Sequence, residues 1–108
     1  MEIKLTWYGH GTWLVTAGEH KILLDPFFND SPSSPIKAAE MIAIKPDLIL
    51  VSHGHFDHVA DVKEIASATG AQLIAMYEVA EWFGKQGIEN RVGMNIGCLL
   101  YTSDAADE

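Results

Sequence analysis

Three of the chain's five histidines fall within six residues, in the run Ser52-His53-Gly54-His55-Phe56-Asp57-His58. The run follows Asp47-Leu48-Ile49-Leu50-Val51, whose apolar residues read as a buried strand, so the histidines stand where a strand ends. Side chains alternate faces along an extended chain. His53 and His55 therefore point the same way and can grip one ion together, while Gly54 lets the backbone bend closely between them. Asp57 and His58 come one spacer later, where the chain must turn, and add a carboxylate and an imidazole beside the first pair. Zinc, manganese and iron accept both ligand types, and a catalytic site keeps fewer protein ligands than a structural one so that water can bind. The grouping suits two ions, and ions about 3.5–4 Å apart are a common hydrolytic device. The bland alternative, a chance cluster of solvated loop histidines, leaves the ligand-type spacing after a strand end unexplained.

At these residues the chain resembles the metallo-β-lactamase superfamily, whose signature His-x-His-x-Asp-His stands complete as His53-Gly54-His55-Phe56-Asp57-His58. The resemblance implies that His53 and His55 bind the first of two divalent metal ions and that Asp57 and His58 serve the second, with zinc expected and manganese or iron accepted. It implies a hydrolase in which a water or hydroxide held between the ions attacks an ester, lactone, amide or phosphate centre, with no serine or cysteine nucleophile required. Asp57 is then the carboxylate placed to orient the nucleophile. The implied fold is α/β, the αββα four-layer sandwich, in which two αβ halves pack their sheets together around a metal groove. This chain is expected to supply the first half only. Further ligands are expected downstream, and no histidine follows His58.

Two more residues gain meaning beside that motif. Gly9-His10-Gly11 allows a tight bend that projects His10 from a strand end, and branches resembling ascorbate-6-phosphate lactonase and uncharacterised metal-dependent hydrolases carry a similar Gly-His. His10 is a candidate catalytic contact to substrate or metals, or else a turn histidine bonded to its own backbone. Asp25 ends an apolar strand, where a carboxylate must be exposed or well satisfied. The resemblance places such an aspartate close to the metal ligands, where it would orient one of them by a hydrogen bond; the plain alternative is a turn-forming Asp25-Pro26.

The elements that must position these residues follow from periodicity. Ile3–Trp7 and Trp13–Thr16 read as strands, a turn over Ala17–His20 leads to a strand Lys21–Leu24, and Leu48–Val51 enters the motif. His20 is expected to be solvated and without a role. Residues 27–35 read as a loop forming part of the substrate wall, with Phe27 and Phe28 equally readable as core. Helices are expected over Ile36–Ile44, stopping before Pro46, over Val59–Thr69, with Asp61 complementing the helix dipole and Gly70 ending it, and over Tyr77–Lys85. Gln72–Ala75 is a further strand, and Gly87-Ile88 leads back towards another. Tyr77, Trp82 and Phe83, at helical spacing, are expected to face a sheet. Strand and helix alternate, as in an α/β unit.

Composition bounds the function. The chain has 108 residues, 48% of them hydrophobic, and a net charge of −8 with no Lys/Arg cluster to track a phosphate backbone, which disfavours nucleic acid and hence a nuclease of the same superfamily. No apolar run approaches the roughly 20 residues of a membrane span, the N-terminus lacks a basic leader, and the single cysteine, Cys98, excludes an internal disulfide; a cytoplasmic enzyme acting on a small molecule is expected, without a membrane partner. The other class of reading is a metal-binding fragment without catalysis. An α/β half-fold would leave an apolar sheet face unpaired and prone to self-association. Finally, residues 98–108, Cys98 to Glu108, match one frame of a common transposase sequencing adapter residue for residue through Asp107. They are expected to be non-native, with residues 1–97 forming the domain. Without the three acids of that tail, 12 acidic residues face 7 basic ones, a net charge of −5.

Overall fold

The computed structural model describes residues 2–95 and Gly97, and the expectation of a non-native tail falls on 98–108, outside the described residues. Six strands form one sheet in chain order: β1 (Ile3–Trp7), β2 (Trp13–Ala17), β3 (His20–Leu24), β4 (Leu48–Leu50), β5 (Gln72–Met76) and β6 (Arg91–Met94). β1, β2 and β3 form an antiparallel meander, and β4, β5 and β6 continue the sheet in parallel. Helices α1 (Ala38–Ile44), α2 (Phe56–Val59), α3 (Val62–Thr69) and α4 (Tyr77–Lys85) occupy the crossovers that parallel pairing requires.

Pleating gives the sheet two unlike faces. Leu14, Leu23, Ile49 and Leu73 are cross-strand neighbours in one row, and they pack with Phe28, Met41 and Ile65 into the helix-covered core. Trp7, Trp13, Leu24, Leu50 and Ile74 form the alternate row on the opposite face. There Ile3, Leu5 and Trp7 are 62%, 62% and 60% exposed, and Trp7 stacks on Trp13 at 6.1 Å. A sheet face meant for water is polar, whereas this one is apolar along its length.

Local signals account for both ends of α1 and the end of α3. Lys37 N–H donates to Glu40 Oε1 at 3.2 Å at the start of α1, and Lys45, with φ 61°, closes it in a left-handed turn ahead of Pro46. Gly70, with φ 75°, ends α3 in the same way. The expected helix Val59–Thr69 differs in structure: a turn of helix starts inside the motif at Phe56, and the chain breaks at Ala60-Asp61 before α3. Asp61 is the cause. Its N–H donates to Pro26 O at 3.2 Å and its buried carboxylate accepts Phe28 N–H at 2.6 Å and Asn29 N–H at 3.2 Å, so from the N-cap of α3, where the helix dipole was expected to meet it, it also anchors the loop after β3.

The packing of α4 corrects a second expectation. Ala80 and Phe83 are buried, and Tyr77, though 56% exposed, lies against Gly93 of β6, but Trp82 is 56% exposed. Trp82 packs edge-on against Phe83 at 4.9 Å at the outer rim of the helix, because nine residues of helix present a buried stripe only one or two side chains wide to β5 and β6. Phe27 and Phe28 are both buried, and Phe28 lies in the main core. His20 is exposed, as expected.

Candidate metal centre

Parallel pairing brings three loops to one edge of the sheet. Leu24 stands opposite Leu50, so the chain leaves β3 and β4 side by side, and Asp25 N–H donates to Leu50 O at 2.9 Å. Trp7 and Trp13 are paired, and Trp13 faces Leu24, which places the turn 8–12 at that same edge. In open α/β sheets the crevice beyond the carboxyl ends of the strands is where ligands bind.

Asp25 is the hub of this edge. Its Oδ1 accepts Ser52 N–H at 2.7 Å, its Oδ2 accepts Ser52 Oγ–H at 2.7 Å, and the same Oδ2 lies 2.9 Å from His58 Nδ1. Its carbonyl accepts the hydroxyl of fully buried Thr12 at 2.7 Å, and Thr12 Oγ1 in turn accepts Phe27 N–H at 3.2 Å. These bonds hold Asp25 at φ 46°, a left-handed conformation that costs a non-glycine residue about 1–2 kcal/mol. The plain turn reading of Asp25 therefore falls short: the turn exists, and its carboxylate is spent on the motif.

The hydrogen count fixes two tautomers. Ser52 has one hydroxyl hydrogen, which goes to Asp25, so its oxygen can only accept from His53 Nδ1, 2.8 Å away. His58 Nδ1 likewise donates to the Asp25 carboxylate. In their neutral forms both imidazoles thus carry the proton on Nδ1 and present Nε2 lone pairs, the arrangement by which carboxylates and their relays prepare histidines for a metal. The rings of His53 and His55 lie 4.6 Å apart edge to face, those of His53 and His58 lie 4.1 Å apart, and Asp57 Oδ1 is 3.8 Å from His58 Nε2. The motif side chains are thus neighbours, and the donor types fit a divalent ion. Among the described residues, however, no three such donors are arranged to hold an ion by themselves.

Glycine is required at one contact. A Cβ on Gly11 would lie 2.9 Å from His58 Cε1 and 3.3 Å from its Nδ1, so the β1–β2 turn presses on a motif imidazole with only a hydrogen between. His10 itself is exposed, has φ 49°, and does not bond its own backbone: Nδ1 lies 3.1 Å from Ser33 Oγ, and the ring meets Phe27 edge-on at 5.2 Å. Phe27 meets motif residue Phe56 at 5.7 Å, which makes the loop after β3 a wall of this edge. Nearby, burial pushes the Tyr8 phenol above its ordinary pKa of 10.0. Sequence reasoning missed Ser52, Thr12 and Ser33 and gave Asp61 a place at a helix start alone; a serine directly before the first motif histidine was the one available hint.

A mixed sheet with an imidazole and carboxylate loop past the carboxyl ends of its parallel strands marks an α/β domain with a strand-end site. The metallo-beta-lactamase superfamily model matches residues 5–95, and the chain belongs to that superfamily. It is 43% identical over 95 residues to a UPF0173 metal-dependent hydrolase of Heliobacterium modesticaldum, an alignment covering 88% of this chain and 38% of the relative. A UPF0173 metal-dependent hydrolase of Methanopyrus kandleri is 41% identical over 95 residues, covering 88% and 40%. Among solved structures, Igni18, a metallo hydrolase of Ignicoccus hospitalis, superposes with a TM-score of 0.84 at 30% identity, covering 96% of this chain and 44% of that one. The chain spans about two fifths of the length of these curated relatives. The α/β architecture expected from the motif is therefore the one found. No helix among the described residues is long and apolar enough to cross a membrane.

Proposed function

We propose that the chain is the motif-bearing part of a metal-dependent hydrolase that acts in the cytoplasm on a small molecule bearing an ester, lactone, amide or phosphate group. The observation that carries this reading is the Asp25 hub, which turns the Nε2 lone pairs of His53 and His58 outwards beside Asp57. In this reading His53, His55, Asp57 and His58 hold two divalent ions, zinc being the expected one, with manganese and iron also accepting imidazole and carboxylate ligands. Ions bound there would supply Lewis acidity and an activated water. The chain's own residues do the rest: Asp25 and Ser52 orient two ligands, Asp57, with its side chain 45% exposed, orients the nucleophile, and His10 contacts the substrate.

The reading is tested in the full-length protein by measuring bound metal and hydrolysis across ester, lactone, amide and phosphate panels. His55→Ala or Asp57→Ala should abolish metal-dependent turnover and leave the fold intact, since neither side chain is buried in the core. Unchanged turnover in either variant rejects the assignment. A second reading, a metal-binding fragment without catalysis, applies to the 108-residue chain alone and is favoured by the absence of a three-donor set among its described residues; turnover by that polypeptide would remove it.

A further inference from the structure

We infer that Asp61, three residues beyond the motif, is a positioning residue of the metal centre: by clasping the loop after β3 it holds the α2 turn where His58 meets Asp25. The metal part of this inference rests on the proposed hydrolase; the hold on His58 does not. The starting observation is the direction of one N–H. In an unbroken helix the Asp61 amide would bond the carbonyl of Asp57, four residues back. It donates instead to Pro26 O at 3.2 Å, and Asp61 leaves the helical region with φ −110° and ψ 11°. The α2 turn therefore ends just past the motif, and α3 starts afresh from Asp61, whose carbonyl accepts Ile65 N–H at 3.1 Å.

The clasp is reciprocal. From the end of β3, the Asp25 carboxylate reaches across to Ser52 and His58. From the end of the motif, Asp61 reaches back: its N–H meets Pro26, and its Oδ2 accepts Phe28 N–H at 2.6 Å and Asn29 N–H at 3.2 Å. The Asp25–His58 and Pro26–Asp61 bonds thus tie the same two short segments, one residue apart on the first and three apart on the second, so neither segment turns without straining the other tie. Asn29 carries the clasp into the frame. Its Oδ1 accepts Ala38 N–H at 2.9 Å at the start of α1, and its Nδ2 donates to Glu64 Oε1 at 3.3 Å on α3. Asp61 is 5% exposed, so its bonds are not ones that water replaces at little cost.

Loss of the Asp61 carboxylate is felt at His58 through Asp25. Asp25 stands at φ 46°, and a non-glycine residue keeps such a conformation only where its surroundings over-determine it. With Phe28 and Asn29 released, that turn can relax, and the carboxylate that meets His58 Nδ1 moves with it. Phe27 lies between two residues that Asp61 holds, and its ring backs Phe56 at 5.7 Å, so the same clasp steadies the wall beside the motif. A site whose supporting shell is loosened loses its geometry even when every ligand is still present.

The test is Asp61→Ala in the full-length protein, once circular dichroism has shown the variant folded. In metal-free protein labelled at histidine, NMR should show the His58 Nδ1–H proton, sheltered by Asp25 in wild type, exchanging faster with solvent. Chelator competition should show zinc bound about 2- to 30-fold more weakly, the range for a residue that acts through others. Asp61→Asn, which can place its carbonyl oxygen where Oδ2 accepts both amides, should restore most of both readings. Thr69→Ala removes the bonds to Ile65 O and from Ala71 N–H at the far end of α3, and as the control for lost stability alone it should leave both readings at wild-type values. Where Asp61→Ala does not fold, Asp61→Ser, a shorter acceptor, is read in its place. Wild-type exchange with zinc affinity within twofold of wild type, a failure of Asp61→Asn to restore them, or an equal loss in Thr69→Ala overturns the inference. Asp61-dependent exchange at His58 in a protein that binds no zinc supports it and refutes the metal reading instead.

Discussion

Replacing Asp25 by asparagine changes one oxygen to an NH2 group with almost no change in shape, and the structure says which bonds fail. Asn Oδ1 can still accept Ser52 N–H, now at 2.7 Å to Asp25 Oδ1. The NH2 group would then stand where Oδ2 accepts Ser52 Oγ–H at 2.7 Å and meets His58 Nδ1 at 2.9 Å, so two donors would face a donor. The relief is a flip of both tautomers: His58 must accept at Nδ1, and Ser52 must donate its hydrogen to His53 Nδ1, which moves both ring protons to Nε2. Those are the nitrogens the proposed metal needs. Loss of such an orienting partner typically weakens metal affinity about 10- to 100-fold, or about 1.4–2.7 kcal/mol. The lost charge-assisted bonds should also reduce folding stability by about 1.5–3 kcal/mol. Chelator competition on full-length Asp25→Asn protein measures the first quantity and denaturant unfolding the second. A variant that folds normally and binds metal within twofold of wild type would refute the hub argument.

Four other outcomes follow from named contacts. Gly11→Ala should displace the His58 ring, because the added Cβ would sit 2.9 Å from Cε1, and chelator competition should show weaker metal binding with the fold retained. Asp61→Ala should strand the amides of Phe28 and Asn29 and cost about 2–3 kcal/mol in denaturant unfolding, whereas an exposed carboxylate would cost almost nothing. Since the Tyr8 phenol titrates above its ordinary 10.0, the folded state prefers it neutral; that contribution is fully present below pH 10 and is lost as pH rises through the raised value, and an ultraviolet alkaline titration should lose its late component in Tyr8→Phe. The isolated 108-residue chain should associate through the open face of β1 and its neighbours, and Leu5→Lys should reduce association in sedimentation; a monomer with a cooperative melt would contradict this.

What could be read from the sequence was whatever depends on near neighbours. The bounds Ile3–Trp7 and Tyr77–Lys85 and the helix stops ahead of Pro46 and at Gly70 all follow from alternation, helical spacing or a proline or glycine at the stop, and the structure reproduces them. The misreadings all turned on distant partners. Asp61 lies 33 residues from Phe28, whose amide it accepts, and this bond splits a helix that local periodicity would run unbroken. Trp82 has the spacing of a core residue, but the width of the face that α4 offers to the sheet is a property of the packed layers, so its exposure was illegible. The motif shows the same division. Its residue types announce metal chemistry in six consecutive positions, yet the orientation of its rings comes from Asp25, 27 residues before Ser52 and 33 before His58, and from the parallel register that sets Leu24 beside Leu50. A carboxylate at the end of one strand and a histidine loop at the end of the next can be seen separately in a sequence. That they share protons requires knowing that the two strands run the same way and end at the same edge, and no local pattern carries that information.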